Sequence, residues 1–501
     1  MVIYNFKLMS LIFKWKRFGL LIFINTNFIC VFGQDYRAVQ GSSFTGSLSV
    51  SNNPASIVHS PFKLDITPFA FQFKHSTNAI VIKNSNYISP AKNAEAFLQN
   101  GKYKSFLMAN QDLRLLNASM RLRNNSAIAF GSSMRSYISA NTSSILFQDT
   151  AATIRDFMRN NISNTPISSE LRAHVWAEIF GSYARTIMEN TNAIVNAGIT
   201  LKVNRGLGAA FVDASNLGIS PGTVNNTPGY YLTNGLLNYG YSANIDALDT
   251  STNFKAAQKE FIKNTYSSLG LSLGAEYIVP DNGAGMGNGY DYSLKIGLSL
   301  LDLSTNKYKL SNYSRSAILN KNNVSDSLID DFFINVTDPA TLADSLGIIA
   351  ASNNPLTGKF KIFQPTRIVI NVDKHIAGNF FINGEVTIPL YSLLGKKQMV
   401  ANDMNFINLA ARMETEKFRI YLPVSINNKM HVWVGGAFRA GPLLFGLHNW
   451  ASLLGKNKIQ DSGGYIAFTF RFKGKNGSKR DPDQRNTDKM LQQLSCPPAL
   501  Q

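Results

Sequence analysis

A strand-like stretch near the end of the chain, residues 464–472, constrains the fold more than any other feature. Side chains of an extended strand alternate between two faces. One face here carries Ile466, Phe468, Phe470 and Phe472, and the other carries Tyr465, Ala467, Thr469 and Arg471. An apolar outer face, a polar inner face and aromatic residues near strand ends are typical of an outer-membrane β-barrel. We therefore predict that this stretch is the last strand of a barrel and pairs with the strand near Phe69.

The same alternation recurs from Lys63 onward, for example in the stretches that begin at Phe69, Ala197, Leu271 and Phe380. Candidate strands number roughly 12–16, and the even number of about 14 is favoured for a closed barrel. The prediction is an all-β fold, a transmembrane antiparallel up-and-down β-barrel over residues 62–472 with short helical insertions. Six charged residues on the non-apolar faces are expected to face the lumen or its mouth: Arg121, Arg123, Lys202, Glu276, Glu385 and Arg419.

Composition agrees with a large barrel that has a wet interior. Hydrophobic residues make up 45% and charged residues 16%, and the mean hydropathy is −0.07. These values are too polar for a helical membrane protein and low in charge for an ordinary soluble one. The formal net charge of +18 has two interpretations. One is that the positive charge attracts lipopolysaccharide phosphates or acidic solutes. The other is that the basic residues are simply spread over the loops and the lumen. The sequence has no dense run of basic residues with interleaved aromatics, so nucleic-acid binding is not expected.

The first 33 residues have the pattern of a secretory signal peptide. A basic stretch that ends at Arg17 precedes an apolar run, and small residues predict cleavage near Gly33/Gln34. Cys30 falls inside this signal, which leaves Cys496 alone and predicts no intramolecular disulfide. Export through a signal of this kind, followed by a barrel, predicts the outer membrane of a Gram-negative bacterium.

Three further segments differ from the strand pattern. Residues 34–61 are polar, with a turn at Asn53-Pro54, and are predicted to form an N-terminal plug-like periplasmic segment. Helical insertions are predicted near 144–160 and 325–351, the second split at Asp338-Pro339. These insertions are either a plug or lid that contacts cargo or an ordered surface feature. Residues 473–501 are predicted to be a disordered periplasmic tail.

No motif for chemistry emerges from the sequence. The glycine-rich stretch 283–289 lies between two alternating strands with no helix behind it, so a hairpin loop explains it better than a phosphate site. The six histidines stand apart, and no serine has a nucleophile-elbow context near His174 or His448. We assign no catalytic, cofactor-binding or metal-binding residues, expect no cofactor, and predict that the protein is not an enzyme.

Several local patterns together resemble an uncharacterised Bacteroidota outer-membrane β-barrel family, a domain of unknown function in the style of FadL-like and type IX secretion-associated barrels. They are Asn53-Pro54-Ala55, Leu271-Ser-Leu-Gly-Ala-Glu-Tyr277, Ile296-Gly-Leu-Ser-Leu-Leu-Asp302, Gln364-Pro365-Thr366, Phe438-Arg-Ala-Gly-Pro442 and the last strand. Where the family often has Asp-x-Gly, this chain has Asp302-Leu303-Ser304. The resemblance implies an integral outer-membrane barrel and brings no binding residues with it.

The leading hypothesis is a channel or transporter that binds or passes a small hydrophobic solute. One alternative is a structural or scaffold barrel that supports a secretion or surface-attachment complex, and a second is a soluble secreted β-rich adhesin. The expected partners are outer-membrane lipid and lipopolysaccharide, with a small hydrophobic solute or secretion-system proteins according to the hypothesis.

Overall fold

A computed structural model describes residues 36–83, 95–123, 125–148, 153–162, 165–224, 227–246, 254–281, 292–321, 324–333, 336–390, 399–415, 417–454 and 460–473. The predicted signal peptide, the predicted tail beyond residue 473, both cysteines and the stretch 283–289 lie outside these residues. No helix among the described residues is long and apolar enough to cross a membrane.

Strands account for most of the described chain. The first eleven are β1 Leu64–Thr77, β2 Ile80–Lys83, β3 Glu95–Leu98, β4 Gly101–Arg121, β5 Ser126–Phe147, β6 Ile167–Glu189, β7 Ile194–Val224, β8 Thr227–Tyr241, β9 Ser267–Pro280, β10 Tyr292–Lys309 and β11 Arg315–Ile318. The others are β12 Ser352–Pro355, β13 Lys359–Phe363, β14 Arg367–Ala377, β15 Phe380–Pro389, β16 Phe406–Glu414, β17 Phe418–Asn427, β18 Val432–Val434, β19 Gly436–Ala440, β20 Leu443–Leu447 and β21 Asp461–Phe472. The α-helices are α1 Ile154–Asn160, α2 Phe254–Lys263, α3 Asp326–Phe333, α4 Pro339–Ile349 and α5 Ala451–Leu454. Short 3₁₀ helices occupy Arg37–Val39, Gly46–Ser51, Pro54–Ile57 and Ala243–Ile245.

The strands close into an antiparallel barrel of 14 strands, as the alternating pattern predicts. Its ring runs β1, β4, β5, β6, β7, β9, β10, β14, β15, β16, β17, β19, β20 and β21. The last strand returns to the first, with Phe69 opposite Phe468 and Asp65 opposite Arg471. Closure pairs the backbone of every strand on both sides, which is the condition for β-structure in lipid.

The two faces of the ring differ as a membrane barrel requires. Large apolar side chains point outward and are exposed, among them Leu201, Leu298, Ile407, Leu409, Leu422 and Phe470. Side chains on the other face of the strands point inward and are buried, among them Lys202, Ser299, Asn408, Arg419, Ser425 and Thr469. In β21 the residues predicted to face outward, Phe468, Phe470 and Phe472, are more exposed than Thr469 and Arg471 between them. The face assignment made for the last strand is confirmed.

The two ends of the barrel are unlike each other. Short connections at 122–125, 190–193 and 415–417 join strands at one end, where the chain also enters β1 and leaves β21. We call this the short-turn end, and the opposite one the long-loop end. In outer-membrane barrels the short turns face the periplasm.

A cap stands on the long-loop end. It is built by the second half of β7, by β8, β11 and β12, and by helices α1, α3 and α4. β7 pairs with β9 only as far as Arg205, and from Ala210 onward it pairs with β8. The cap has an apolar core of its own, which includes Ile167, Ile329 and Leu346. Burial of that core explains how short helices are stabilised between barrel strands.

The helical prediction needs one correction. The spacing of Ile145 and Leu146 predicts a helix, but both residues lie near the C-terminal end of strand β5. Ile145 is buried in the cap core beside Met158 of helix α1. Ile145 and Met158 therefore belong to one apolar cluster but to different elements. Their spacing in the sequence resembles that of one helical face. Helix α4 does begin after Asp338, whose carboxylate accepts a hydrogen bond from the Thr341 amide at 2.9 Å.

The outward apolar band predicts a depth-dependent cost of charge. Leu409→Arg places a cation at the middle of β16, where a lipid-facing arginine costs about 2–4 kcal/mol. Met430→Arg lies in an exposed turn beyond the band and should cost about 0–1 kcal/mol. Urea unfolding of the barrel in lipid vesicles, followed by heat-modifiable gel mobility, measures both. Equal stability of the two variants would contradict the assigned band.

Candidate functional site

The N-terminal segment, residues 36–61, runs inside the ring of strands. Its 3₁₀ helix Arg37–Val39 contacts β16 and β17, and Gly46–Ser51 contacts β1 and β4. Its third 3₁₀ helix, Pro54–Ile57, contacts β5, β6, β7 and β9. Because these strands belong to different sides of the ring, a segment that touches all of them occupies the lumen.

Three strand glycines form a seat for the Asn53-Pro54 turn. A Cβ atom at Gly198 would stand 2.7 Å from the Pro54 carbonyl oxygen, and one at Gly274 would stand 2.1 Å from Asn53 Oδ1. A Cβ at Gly297 would lie 2.9 Å from Asn53 Nδ2. Any larger residue at these positions would displace the turn. The short patterns that carry the family resemblance therefore meet here, although they are far apart in sequence.

Inward side chains hold the backbone and the side chains of the N-terminal segment. Most of these contacts are charge-assisted hydrogen bonds, which are the stronger kind. They are Arg412 Nη1 to Gln40 O (3.0 Å), Lys295 Nζ to Ser43 Oγ (3.2 Å), Arg114 Nη1 to Leu48 O (3.1 Å), Asn52 Nδ2 to Glu385 Oε2 (2.8 Å) and Ser299 Oγ to Asn52 O (2.6 Å). The segment is thus fastened along its length.

Above the segment lies an ion cluster of Arg135, Glu178, Lys202, Asp302 and Arg367. Asp302 accepts hydrogen bonds from Lys202 Nζ at 2.7 Å, Arg367 Nη1 at 2.6 Å and Arg135 Nη1 at 3.1 Å. Glu178 lies 3.4 Å from Lys202 Nζ. All five side chains are buried, so the removal of one partner would leave a charge without compensation.

The charged residues predicted from the strand pattern divide into two groups. Lys202, Glu276, Glu385 and Arg419 are buried in the lumen. Arg121 and Arg123 are exposed at the short-turn end, where Arg121 Nη1 donates to the Ser60 carbonyl at 2.6 Å.

Sequence reasoning missed Arg135, Asp302 and Arg367, which complete the ion cluster. The sequence indicates only that these residues occupy inward-facing positions in the alternating strand pattern. Among the described residues, no group of three or more histidine, cysteine, aspartate or glutamate side chains is placed to hold a metal ion.

A layer of aromatic rings covers the ion cluster on the side of the cap. Tyr137 stacks on Trp176 with ring centroids 5.3 Å apart, and His174 lies 4.4 Å from the same indole. The Arg135 guanidinium stands 5.3 Å from the Trp176 ring, so the layer is joined to the ion cluster by cation–π contact.

An apolar pocket of about 150 Å³ lies between barrel and cap. Strands β6, β7 and β8 supply most of its wall, and helix α4 supplies the rest. Its lining residues are Leu171, Phe211, Val212, Leu237, Tyr239, Gly240, Tyr241, Pro339 and Leu342. The Tyr241 hydroxyl donates to Asp246 at 2.7 Å, so this hydroxyl is already engaged. The pocket suits an apolar molecule that needs few hydrogen bonds.

Asp326 is the main polar anchor of the cap. Its buried carboxylate accepts hydrogen bonds from the Arg155 guanidinium of helix α1 and from the Tyr230 amide of β8 at 3.1 Å. Burial acts to raise the pKa of this carboxyl, but the Arg155 and Tyr230 hydrogen bonds outweigh burial and hold the pKa below its ordinary value. Asp326 therefore joins three elements of the cap in its ionised form.

Residues 54–448 match the Family of unknown function (DUF5723). This chain belongs to that family. The match begins at Pro54, in the turn seated on the three glycines, and ends at His448, just after β20. Membership confirms the resemblance to a family of unknown function that the short patterns indicate. No curated protein matches the sequence.

Several solved structures are similar to this chain over most of its length. The Ralstonia pickettii toluene transporter TbuX is 11% identical, with a TM-score of 0.39, and the match covers 88% of this chain and 98% of that one. The P. putida toluene transporter TodX is 10% identical, with a TM-score of 0.39 and coverage of 89% and 99%. A Pseudomonas aeruginosa FadL homologue is 10% identical, with a TM-score of 0.39 and coverage of 86% and 95%.

The glycine seat predicts that one methyl group displaces the Asn53-Pro54 turn of the N-terminal segment. Gly274→Ala places a Cβ against Asn53 and should unseat the turn, which raises the conductance of single channels in planar bilayers. Gly384→Ala is the matched control, because a Cβ at that strand glycine meets nothing within 4 Å. If Gly274→Ala conducts no more than Gly384→Ala, the seat does not hold the segment.

The lowered pKa of Asp326 predicts that its stabilisation of the cap is lost in acid. A carboxyl with a lowered pKa in the folded state stabilises the fold above its unfolded pKa of about 3.9, and this contribution is lost as pH falls through the folded value. Asp326→Asn should therefore weaken α3 at pH 7 by about 1–3 kcal/mol, and less at pH 3. Hydrogen exchange of α3 amides, corrected for the intrinsic rate at each pH, measures the difference. Asp331→Asn, on the exposed side of the same helix, should change little at either pH.

Proposed function

We propose that this protein is an outer-membrane β-barrel that binds a small apolar solute in the pocket between barrel and cap and passes it inward. The observation that carries the proposal is the apolar pocket of about 150 Å³ at the long-loop end. A cavity of about this volume with aliphatic and aromatic walls stays dry and holds a molecule the size of benzene. The solute class is therefore a single-ring or similarly compact hydrocarbon.

The position of the pocket supports a role in uptake. It is lined mainly by the cap, which in an outer-membrane barrel with periplasmic short turns faces the cell exterior. Pro339 and Leu342 from the start of helix α4 form one wall, so a movement of this helix alters access. The remaining walls belong to β6 of the barrel and to the β7 and β8 strands of the cap.

Passage beyond the pocket requires rearrangement. The aromatic layer, the ion cluster and the N-terminal segment lie in succession between the cap and the short-turn end. An apolar solute gains nothing from the buried charges, and the segment fills the short-turn end. We infer that transport includes displacement of the N-terminal segment and repacking of the ion cluster.

The cellular setting is part of the proposal. Residues 1–33 supply export, with cleavage near Gly33/Gln34, and the barrel then inserts into the outer membrane of a Gram-negative bacterium of Bacteroidota type. The outward apolar band contacts lipid, and lipopolysaccharide is the expected neighbour of the long-loop end. Such a band is not expected of a soluble adhesin. No catalytic role is proposed.

A second candidate function has one observation in its favour. The lumen of a scaffold barrel has no need to open, and here the N-terminal segment and the ion cluster fill it. A barrel of this kind would support a secretion or surface-attachment complex, including one of type IX style, through its cap. Pulldown of protein partners without any solute uptake would favour the scaffold.

The pocket predicts opposite effects of two substitutions at one position. Leu342→Phe fills the cavity and should weaken benzene binding at least tenfold, whereas Leu342→Ala enlarges it and should admit a larger ring such as naphthalene. Saturation-transfer NMR with the protein in detergent measures both. Ile348→Phe, at an exposed position of the same helix, is the control. Unchanged benzene binding by Leu342→Phe would remove the pocket as the solute site.

A further inference from the structure

Arg439 on β19 has a buried guanidinium that makes no hydrogen bond to any described residue. The residue is 1% exposed, and its Nε, Nη1 and Nη2 atoms have no hydrogen-bond acceptor among the described residues. A guanidinium has five N–H donors and remains charged in proteins. Buried polar groups are nearly always hydrogen-bonded, and an uncompensated buried charge is strongly destabilising. The site therefore calls for an acceptor that the described chain does not supply.

The surroundings of Arg439 carry an excess of positive charge. Arg419 lies directly opposite it in the β17–β19 pair, and like charges in that position repel each other. Arg471 acts on Arg439 from the neighbouring part of the wall. The carboxylate that acts on this group is Asp65, and its oxygens already accept from Arg471 Nε at 3.2 Å and Ser47 Oγ at 2.6 Å.

One further donor and an apolar cluster belong to the Arg439 site. The Tyr465 hydroxyl is buried and has no hydrogen-bond partner among the described residues. Tyr36, Val39 and Leu444 belong to the buried cluster that packs around Tyr465. This enclosure limits the access of water, and a low local dielectric strengthens the attraction of an anion. The site lies near the short-turn end, because Arg439 stands two residues before the turn that joins β19 to β20.

We propose that the Arg439 site binds a small oxyanion, a carboxylate or a phosphate, from solvent at the short-turn end. An oxyanion presents several acceptor lone pairs in a geometry that matches the planar guanidinium fork and leaves one for a tyrosine hydroxyl. A halide would neutralise the charge of the guanidinium but would leave most of its N–H donors without an acceptor. The bound anion would lie beside the N-terminal segment, since Tyr36 and Val39 belong to the apolar cluster that contains Tyr465. This proposal does not depend on the apolar solute.

The test compares anions at equal ionic strength with the full-length protein in detergent. Acetate and phosphate are the probes, chloride is the halide arm, and a bulky sulfonate buffer salt is the reference. The midpoint of thermal unfolding, followed by heat-modifiable gel mobility, should rise by roughly 5 °C at about 100 times the dissociation constant. Arg439→Met should lose this rise and be at least as stable as the parent in the reference salt.

Two control variants separate the site from general salt effects. Arg123→Met removes an exposed arginine of the same charge and should keep the full anion response. Asp35→Asn tests whether the carboxylate that precedes Tyr36 in the sequence occupies the site. A rise confined to acetate or to phosphate identifies the oxyanion. The proposal is overturned by an equal rise in chloride, by a rise that persists in Arg439→Met, by a rise that appears only in Asp35→Asn, or by no rise at all.

Discussion

The polar interior of the barrel has to satisfy its own charges, and the rest of the structure depends on this constraint. Closure satisfies the backbone, but the inward face still buries many ionic side chains. Arg412 is fully enclosed, and it is compensated by Asp373 at 2.7 Å and by the Gln40 carbonyl at 3.0 Å. The second of these partners belongs to the N-terminal segment. The segment is therefore part of the electrostatic structure of the wall, and its removal would expose several unpaired groups at once.

Local periodicity explains why the fold could be predicted from the sequence. The alternation in β21 is a property of adjacent residues, so it survives without knowledge of the partners. The split of the second helical insertion was equally local, because Asp338-Pro339 has the residue types of a helix start. Ile145 shows the limit of this reasoning. A strand end and a helix that contribute to one apolar cluster produce the same spacing as a single helix.

The site was less accessible, since its residues meet only after several strands are in register. Arg135 and Asp302 are 167 positions apart, and no local pattern pairs them. Gly274 is an ordinary strand glycine until Asn53 is placed against it. The layers of the lumen likewise follow from register. The aromatic rings, the ion cluster and the N-terminal segment meet in the lumen only when distant strands are paired.

The N-terminal segment leads into β1 through only a few residues, because it ends at residue 61 and the strand begins at Leu64. A tether this short keeps a released segment at an effective concentration of about millimolar near its own binding surface. Re-entry is then a unimolecular event whose rate is independent of the amount of protein in the membrane. Each opening of the lumen would therefore be brief, because the N-terminal segment of the same barrel would rebind. The short link to β1 would keep the segment close to its binding surface.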